Sequence, residues 1–79
     1  MTVTVRLFAG ASEAAGAEVA TVDAASVADL RATLASDFGD EFVRVLRQCS
    51  VMVDGRRADD HAPLTPGSTV DILPPFAGG

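Results

Sequence analysis

Lysine, tryptophan and tyrosine are absent from this 79-residue sequence, and cysteine and histidine occur once each, as Cys49 and His61. A single cysteine cannot close an internal disulfide, which excludes the cystine-stapled scaffolds of small secreted domains. One cysteine and one histidine are also too few for a structural zinc site. No apolar run reaches the roughly eighteen residues that a membrane-spanning helix needs. The opening residues alternate polar and apolar instead of forming a signal peptide. A soluble, cytoplasmic domain without membrane association is the expectation. All six basic residues are arginines, against eleven acids, for a net charge of −5. No basic block tracks a phosphate backbone, so nucleic acid is not an expected partner, and the acidic balance favours steering toward a basic surface. Phosphate-cradling glycine loops and a nucleophilic serine elbow are missing too. The chain is therefore not expected to be an enzyme by itself.

What is present suffices for one core. The hydrophobic fraction is 48%, and a chain of this size hides about 60% of its unfolded surface on folding. Residues 2–9, TVTVRLFA, alternate with period two: Val3, Val5 and Leu7 point one way, Thr4, Arg6 and Phe8 the other, as in a half-buried strand. Residues 10–17 read as a helical detour, with Ser12 capping a short turn over Glu13 to Ala15. Residues 18–23 give a second strand, with Val19 and Val22 as its apolar positions. Ser26, with Asp29 three residues on, opens the main helix. Val27, Leu30, Leu34 and Phe38 form its apolar stripe, and Gly39 stands where a left-handed C-cap is expected. Residues 40–48 predict a shorter helix, acids first and arginines last as the macrodipole favours, with Phe42, Val43 and Leu46 toward the core.

Strand signals then return. Residues 50–53 are apolar, and Asp54-Gly55 predicts a type I′ hairpin turn leading into a short strand from Arg56 to Ala58, marked as an edge by its arginines. Thr65-Pro66-Gly67-Ser68 fits a type II turn. Residues 69–73, TVDIL, form the last strand, with Val70 and Ile72 inward, and Pro74-Pro75 stop it. One main helix cannot cover both faces of a sheet. The order therefore predicts an α+β fold, a β-grasp in which a mixed sheet of about five strands wraps around one helix and the first and last strands run parallel at its centre. The expected division is a domain over residues 1–73 and a flexible tail over 74–79.

Candidate chemistry is sparse. Asp59-Asp60-His61 has metal-ligand residue types, but a polar loop looks the same, and no metal is expected. Cys49 lies among apolar residues, and a buried, inert thiol is the better reading, because a reactive thiol needs exposure and a nearby positive field. The tail is the informative segment. Glycine lacks a Cβ, so Gly78-Gly79 fits a channel too narrow for side chains. Pro74 and Pro75 hold the root extended, and six residues after Leu73 reach about 20 Å. Such a tail can deliver a terminal carboxylate into another protein's active site. A carboxylate is a poor electrophile and must first be activated, most directly as an acyl-adenylate made with ATP.

The opening VTVRLFAGASEAAG, the capped helix SVADLRATL, the VMVDG hairpin, the PLTPGSTVDILPP approach and the final FAGG together resemble the MoaD/ThiS family of ubiquitin-like sulfur carriers over the whole chain. The PPFAGG ending resembles most the branch that serves molybdopterin synthase. The resemblance implies that an E1-like (MoeB-like) adenylyltransferase activates the Gly79 carboxylate with ATP. A sulfurtransferase persulfide then replaces AMP to give a thiocarboxylate. The loaded tail, Pro74, Pro75, Phe76, Ala77, Gly78 and Gly79, enters the MoaE-like large subunit of molybdopterin synthase and donates sulfur to cyclic pyranopterin monophosphate. No permanently bound cofactor is implied. Phe8 and Leu73 match the family's partner-binding positions, on the sheet face away from the helix. Arg57 falls at a third such position, where an apolar residue is common. Two other readings share the first step or the fold: a carrier for cysteine, thiamin or tRNA thiolation, and a protein modifier joined to lysines. A plain interaction module is a third.

Overall fold

The computed structural model describes residues 2–75. Its elements are β1 (Thr2–Leu7), α1 (Ala9–Ala15), β2 (Val19–Asp23), α2 (Val27–Phe38), α3 (Asp40–Leu46), β3 (Ser50–Val53), β4 (Arg56–Arg57) and β5 (Thr69–Leu73). The strands form one sheet in the order β2-β1-β5-β3-β4. β1 and β5 run parallel, with Val5 opposite Val70 and Leu7 opposite Ile72, and the remaining neighbours are antiparallel. This is the mixed five-stranded β-grasp sheet that the element order predicts.

Alternation along the central strands builds one face of the core. Val3, Val5, Leu7, Val51, Val70 and Ile72 are buried and meet Val27, Leu30 and Leu34 of α2 and Phe42 and Leu46 of α3 in a single cluster. Burying each such side chain is worth about 1.5–3 kcal/mol. The Ser26 hydroxyl caps α2 by accepting from the Asp29 N–H at 3.2 Å. Asp54 and Gly55 have φ of 49° and 84°, as a type I′ turn requires. Gly67 has φ 84°, and the Ser68 N–H donates to the Thr65 carbonyl at 3.0 Å, closing the expected type II turn.

Three local expectations need correction, and the reading of β2 is refined. Ser12 does not cap α1, which begins three residues earlier, after Phe8; the Ser12 carbonyl accepts from the Gly16 N–H at 2.9 Å inside the helix. Burial of Ala11 holds this helix down and decides its start. Val19 and Val22 do not share a face, because they are three apart in a period-two strand. Val22 pairs with Val3 on the core side, whereas Val19 pairs with Arg6 and is 57% exposed. In α3, Val45 packs against the core rather than Val43. Gly39 has positive φ but is not left-handed helical: φ 86° with ψ −172° lies in a region essentially reserved for glycine. Its N–H closes α2 on the Ala35 carbonyl, and its own carbonyl accepts from the Val43 N–H, so one residue ends one helix and starts the next.

Candidate functional site

The parallel central pair carries β1 and β5 out of the sheet side by side. The Phe8 N–H donates to the Ile72 carbonyl at 3.3 Å, which sets Phe8 beside the end of β5, where Leu73 leads into Pro74 and Pro75. These four residues and Arg57 line one groove of about 850 Å³. Five of the residues that the sequence marked for docking, Phe8, Leu73, Arg57, Pro74 and Pro75, are therefore brought together. Phe76, Ala77, Gly78 and Gly79 lie outside the described residues.

The groove is not confined to the sheet face away from the helix, as the resemblance implied. It also takes in Ala9 and Gly10 of α1, Val45 of α3, Gln48 in the turn after it, and Ser50 and Met52 of β3. Sequence reasoning missed these. Met52 carried a usable signal: it sits on the outward phase of β3, between the buried Val51 and the half-buried Val53. Ala9 carried none, because its φ of 48° arises from the turn between β1 and α1. A non-glycine residue at such a φ costs roughly 1–2 kcal/mol.

Most of the described residues lining the groove are apolar, and Arg57 is the charged one among them; the other charges lie on the neighbouring outer face of the sheet. Along one row of the outer face, register places Val19, Arg6, Asp71, Met52 and Arg57 side by side across all five strands. Arg6 donates to both carboxylate oxygens of Asp71, from Nε at 2.6 Å and from Nη2 at 2.8 Å. The hydrogen bond to Asp71, then its charge, raises the Arg6 pKa. The same guanidinium lies 5.8 Å from the centroid of the Phe8 ring, within cation–π range. Arg57 Nη2 donates to Ser50 Oγ at 3.4 Å, at the long limit of such a bond.

The remaining candidates are engaged structurally. Asp59 Oδ1 accepts from the His61 N–H at 2.9 Å, and Asp60 Oδ1 lies 2.8 Å from Arg31 Nε in a contact that is ionic more than a directed hydrogen bond. Among the described residues no group of three metal-ligating side chains converges. Cys49 is buried, its thiol directed at the Val45 carbonyl at 3.2 Å. Burial pushes the thiol pKa up, partly opposed by the charge of Arg31. Among the described residues no helix is long and apolar enough to cross a membrane.

A helix packed into a mixed sheet whose first and last strands are parallel neighbours defines a ubiquitin-like β-grasp protein. The ThiS family model matches residues 5–79, and the chain belongs to that family, the MoaD/ThiS group of small sulfur carriers. No curated protein matches it. Among solved structures, small archaeal modifier protein 1 (SAMP1) of Haloferax volcanii is 25% identical with a TM-score of 0.88, each chain covered in full. A chain in the complex of subunits 1 and 2 of molybdopterin-converting factor from Helicobacter pylori is 28% identical with a TM-score of 0.77, again with full coverage of both. Urm1 of Trypanosoma brucei shares the fold, at 18% identity and a TM-score of 0.74 over 99% of this chain and 95% of that one.

Proposed function

We propose that this protein carries sulfur as a thiocarboxylate at Gly79 and donates it to cyclic pyranopterin monophosphate, as the small subunit of a molybdopterin synthase. The observation that carries this reading is the convergence of Phe8, Leu73 and Pro74 on one groove at the root of the tail. An apolar groove there lets a partner grip the body of the carrier while the tail reaches past it. The partner in view is a large subunit, the role that subunit 2 plays toward subunit 1 in the Helicobacter pylori complex.

The chemistry follows from the carboxylate. An E1-like adenylyltransferase joins the Gly79 carboxylate to the α-phosphorus of ATP and releases pyrophosphate. The terminal sulfur of a sulfurtransferase persulfide attacks the acyl carbon and AMP leaves; a second thiol then attacks the sulfurtransferase's sulfur in the resulting acyl disulfide, ending in a disulfide with it and releasing the thiocarboxylate. Its sulfur attacks a side-chain carbon of the pterin and displaces an oxygen substituent there; water then hydrolyses the resulting thioester, leaving the sulfur on the pterin as a thiol and returning the Gly79 carboxylate. Two loaded carriers supply the two sulfurs of one dithiolene. The chain's own residues bind and position: Pro74 and Pro75 restrict the root, and each proline at a compatible position reduces the entropy lost on ordering by about 0.4–1 kcal/mol. ATP is consumed by the activating enzyme rather than held by the carrier.

The test mixes thiocarboxylated protein with its cognate large subunit and cyclic pyranopterin monophosphate, and follows the dithiolene pterin. Its formation is the expected result. No pterin product, together with sulfur transfer to an activated serine derivative, would move the protein to the cysteine branch. The likeness to SAMP1 makes attachment of Gly79 to a target lysine the second reading, and intact mass after isolation from the native host separates the two. A carrier gains one sulfur in place of oxygen, whereas a modifier gains the mass of its target.

A further inference from the structure

We infer that Arg57 is a specificity-determining residue of the groove, and that the partner sets a carboxylate against it while apolar side chains fill the space beside Phe8 and Leu73. The inference rests on the docking role proposed above and adds the chemistry of the partner's surface. Along the outer row Val19, Arg6, Asp71, Met52, Arg57, the one acid is held in a two-pronged ion pair by Arg6. Met52 then separates this neutral pair from Arg57. The acids nearest Arg57 in sequence are engaged elsewhere: Asp54 Oδ1 accepts from the Thr69 N–H and Asp59 Oδ1 from the His61 N–H, both at 2.9 Å, and Asp60 Oδ1 lies 2.8 Å from Arg31 Nε. Arg57 makes no ion pair with a described residue, and its one described hydrogen bond, to Ser50 Oγ, ties the guanidinium to another residue of the groove wall. A molecule of net charge −5 thus presents a cation at its apolar groove.

Closing a partner over that groove removes water from the guanidinium. A neutral or apolar partner surface would leave the charge desolvated without compensation, which costs affinity, whereas a carboxylate restores a charge-assisted bond that the planar guanidinium can make with two N–H groups. Arg57 therefore favours an acidic site on the partner and rejects an apolar one.

The experiment measures binding of the full chain to the cognate large subunit by calorimetry at low and high salt. It compares wild type, Arg57→Met, Arg57→Lys and, as a control on the opposite phase of the same short strand, Arg56→Met. Arg57 is exposed, so melting curves should coincide. The expected result is about a tenfold loss for Arg57→Met, equivalent to about 1.4 kcal/mol. Arg57→Lys, which keeps the charge but not the two-pronged bond, should recover only part of that loss, Arg56→Met should bind as wild type, and Arg57→Met should lose part of the salt dependence. Equal or tighter binding by Arg57→Met overturns the inference, since it means an apolar partner site. A wild-type chain that does not bind the large subunit fails earlier and overturns the molybdopterin reading itself.

Discussion

Phe8 and Leu73 differ from the residues around them in what burial asks of them. Val70 and Ile72 are fully buried, but Leu73, on the other face of β5, is half-buried, and Phe8 is 39% exposed. Leu73→Arg should therefore cost only about 1 kcal/mol of stability, the loss of a partly buried side chain, while weakening large-subunit binding tenfold or more. A melting curve beside a binding titration checks both, and a variant that unfolds would show Leu73 to be a core residue. Cys49 belongs at the same scale. Burial raises its thiol pKa in the folded protein, so on raising the pH the unfolded chain ionises first. The stabilisation is complete below the ordinary thiol pKa of about 8.5 and is lost as pH rises through and beyond it. Denaturant unfolding of wild type should weaken over this range more steeply than that of Cys49→Ala. Parallel pH profiles would show the thiol to be as accessible as in the unfolded chain.

At the scale of elements, the junction between α2 and α3 rests on one residue, Gly39, at a positive φ. An added Cβ on Gly39 would meet nothing within 4 Å, so the cost of Gly39→Ala is one of backbone conformation and not of clash. At φ 86° and ψ −172° that cost is roughly 1–3 kcal/mol, and the melting temperature should fall by roughly 5–20 °C for a domain of this size. The junction matters for the groove because it sets how α3 lies, and Val45 and Gln48 reach the groove from α3 and the turn after it. A loss of large-subunit affinity beyond what the unfolded fraction explains is thus expected. An Ala variant as stable as wild type would show that the backbone relaxes to another conformation.

At the scale of the molecule, core and chemistry are separate. Among the described residues the buried cluster draws on β1, β2, α1 to α3, β3 and β5, while the proposed reacting atom is the Gly79 carboxylate. Adding one residue after Gly79 should leave the melting temperature unchanged and abolish formation of the adenylate, read as ATP–pyrophosphate exchange with the E1-like enzyme. An extended protein that is still activated would remove the carboxylate from the mechanism.

Much of this molecule was legible without coordinates, for reasons local to the chain. Period-two alternation named Val3, Val5, Leu7, Val70 and Ile72 as core, and the Ser26 cap, the Asp54-Gly55 turn and the Pro66-Gly67 turn needed no tertiary context because each is a short-range hydrogen-bond or dihedral requirement. Phe8, Leu73 and Arg57 were marked for docking through resemblance, and the outward phase of Phe8 and Leu73 was readable through alternation. Tertiary structure alone decided where packing overrides local preference. Ala11 buried against the core fixes the start of α1 ahead of Ser12, and pairing with Val3 chooses Val22 over Val19. It also decided the shape of the site, since residues from β1, α1, α3, β3, β4 and β5 meet only after the parallel pairing of the first and last strands brings their ends together. Pattern along a chain encodes which way a side chain points; which distant side chains share a groove depends on register and crossing, and those are set by the core as a whole.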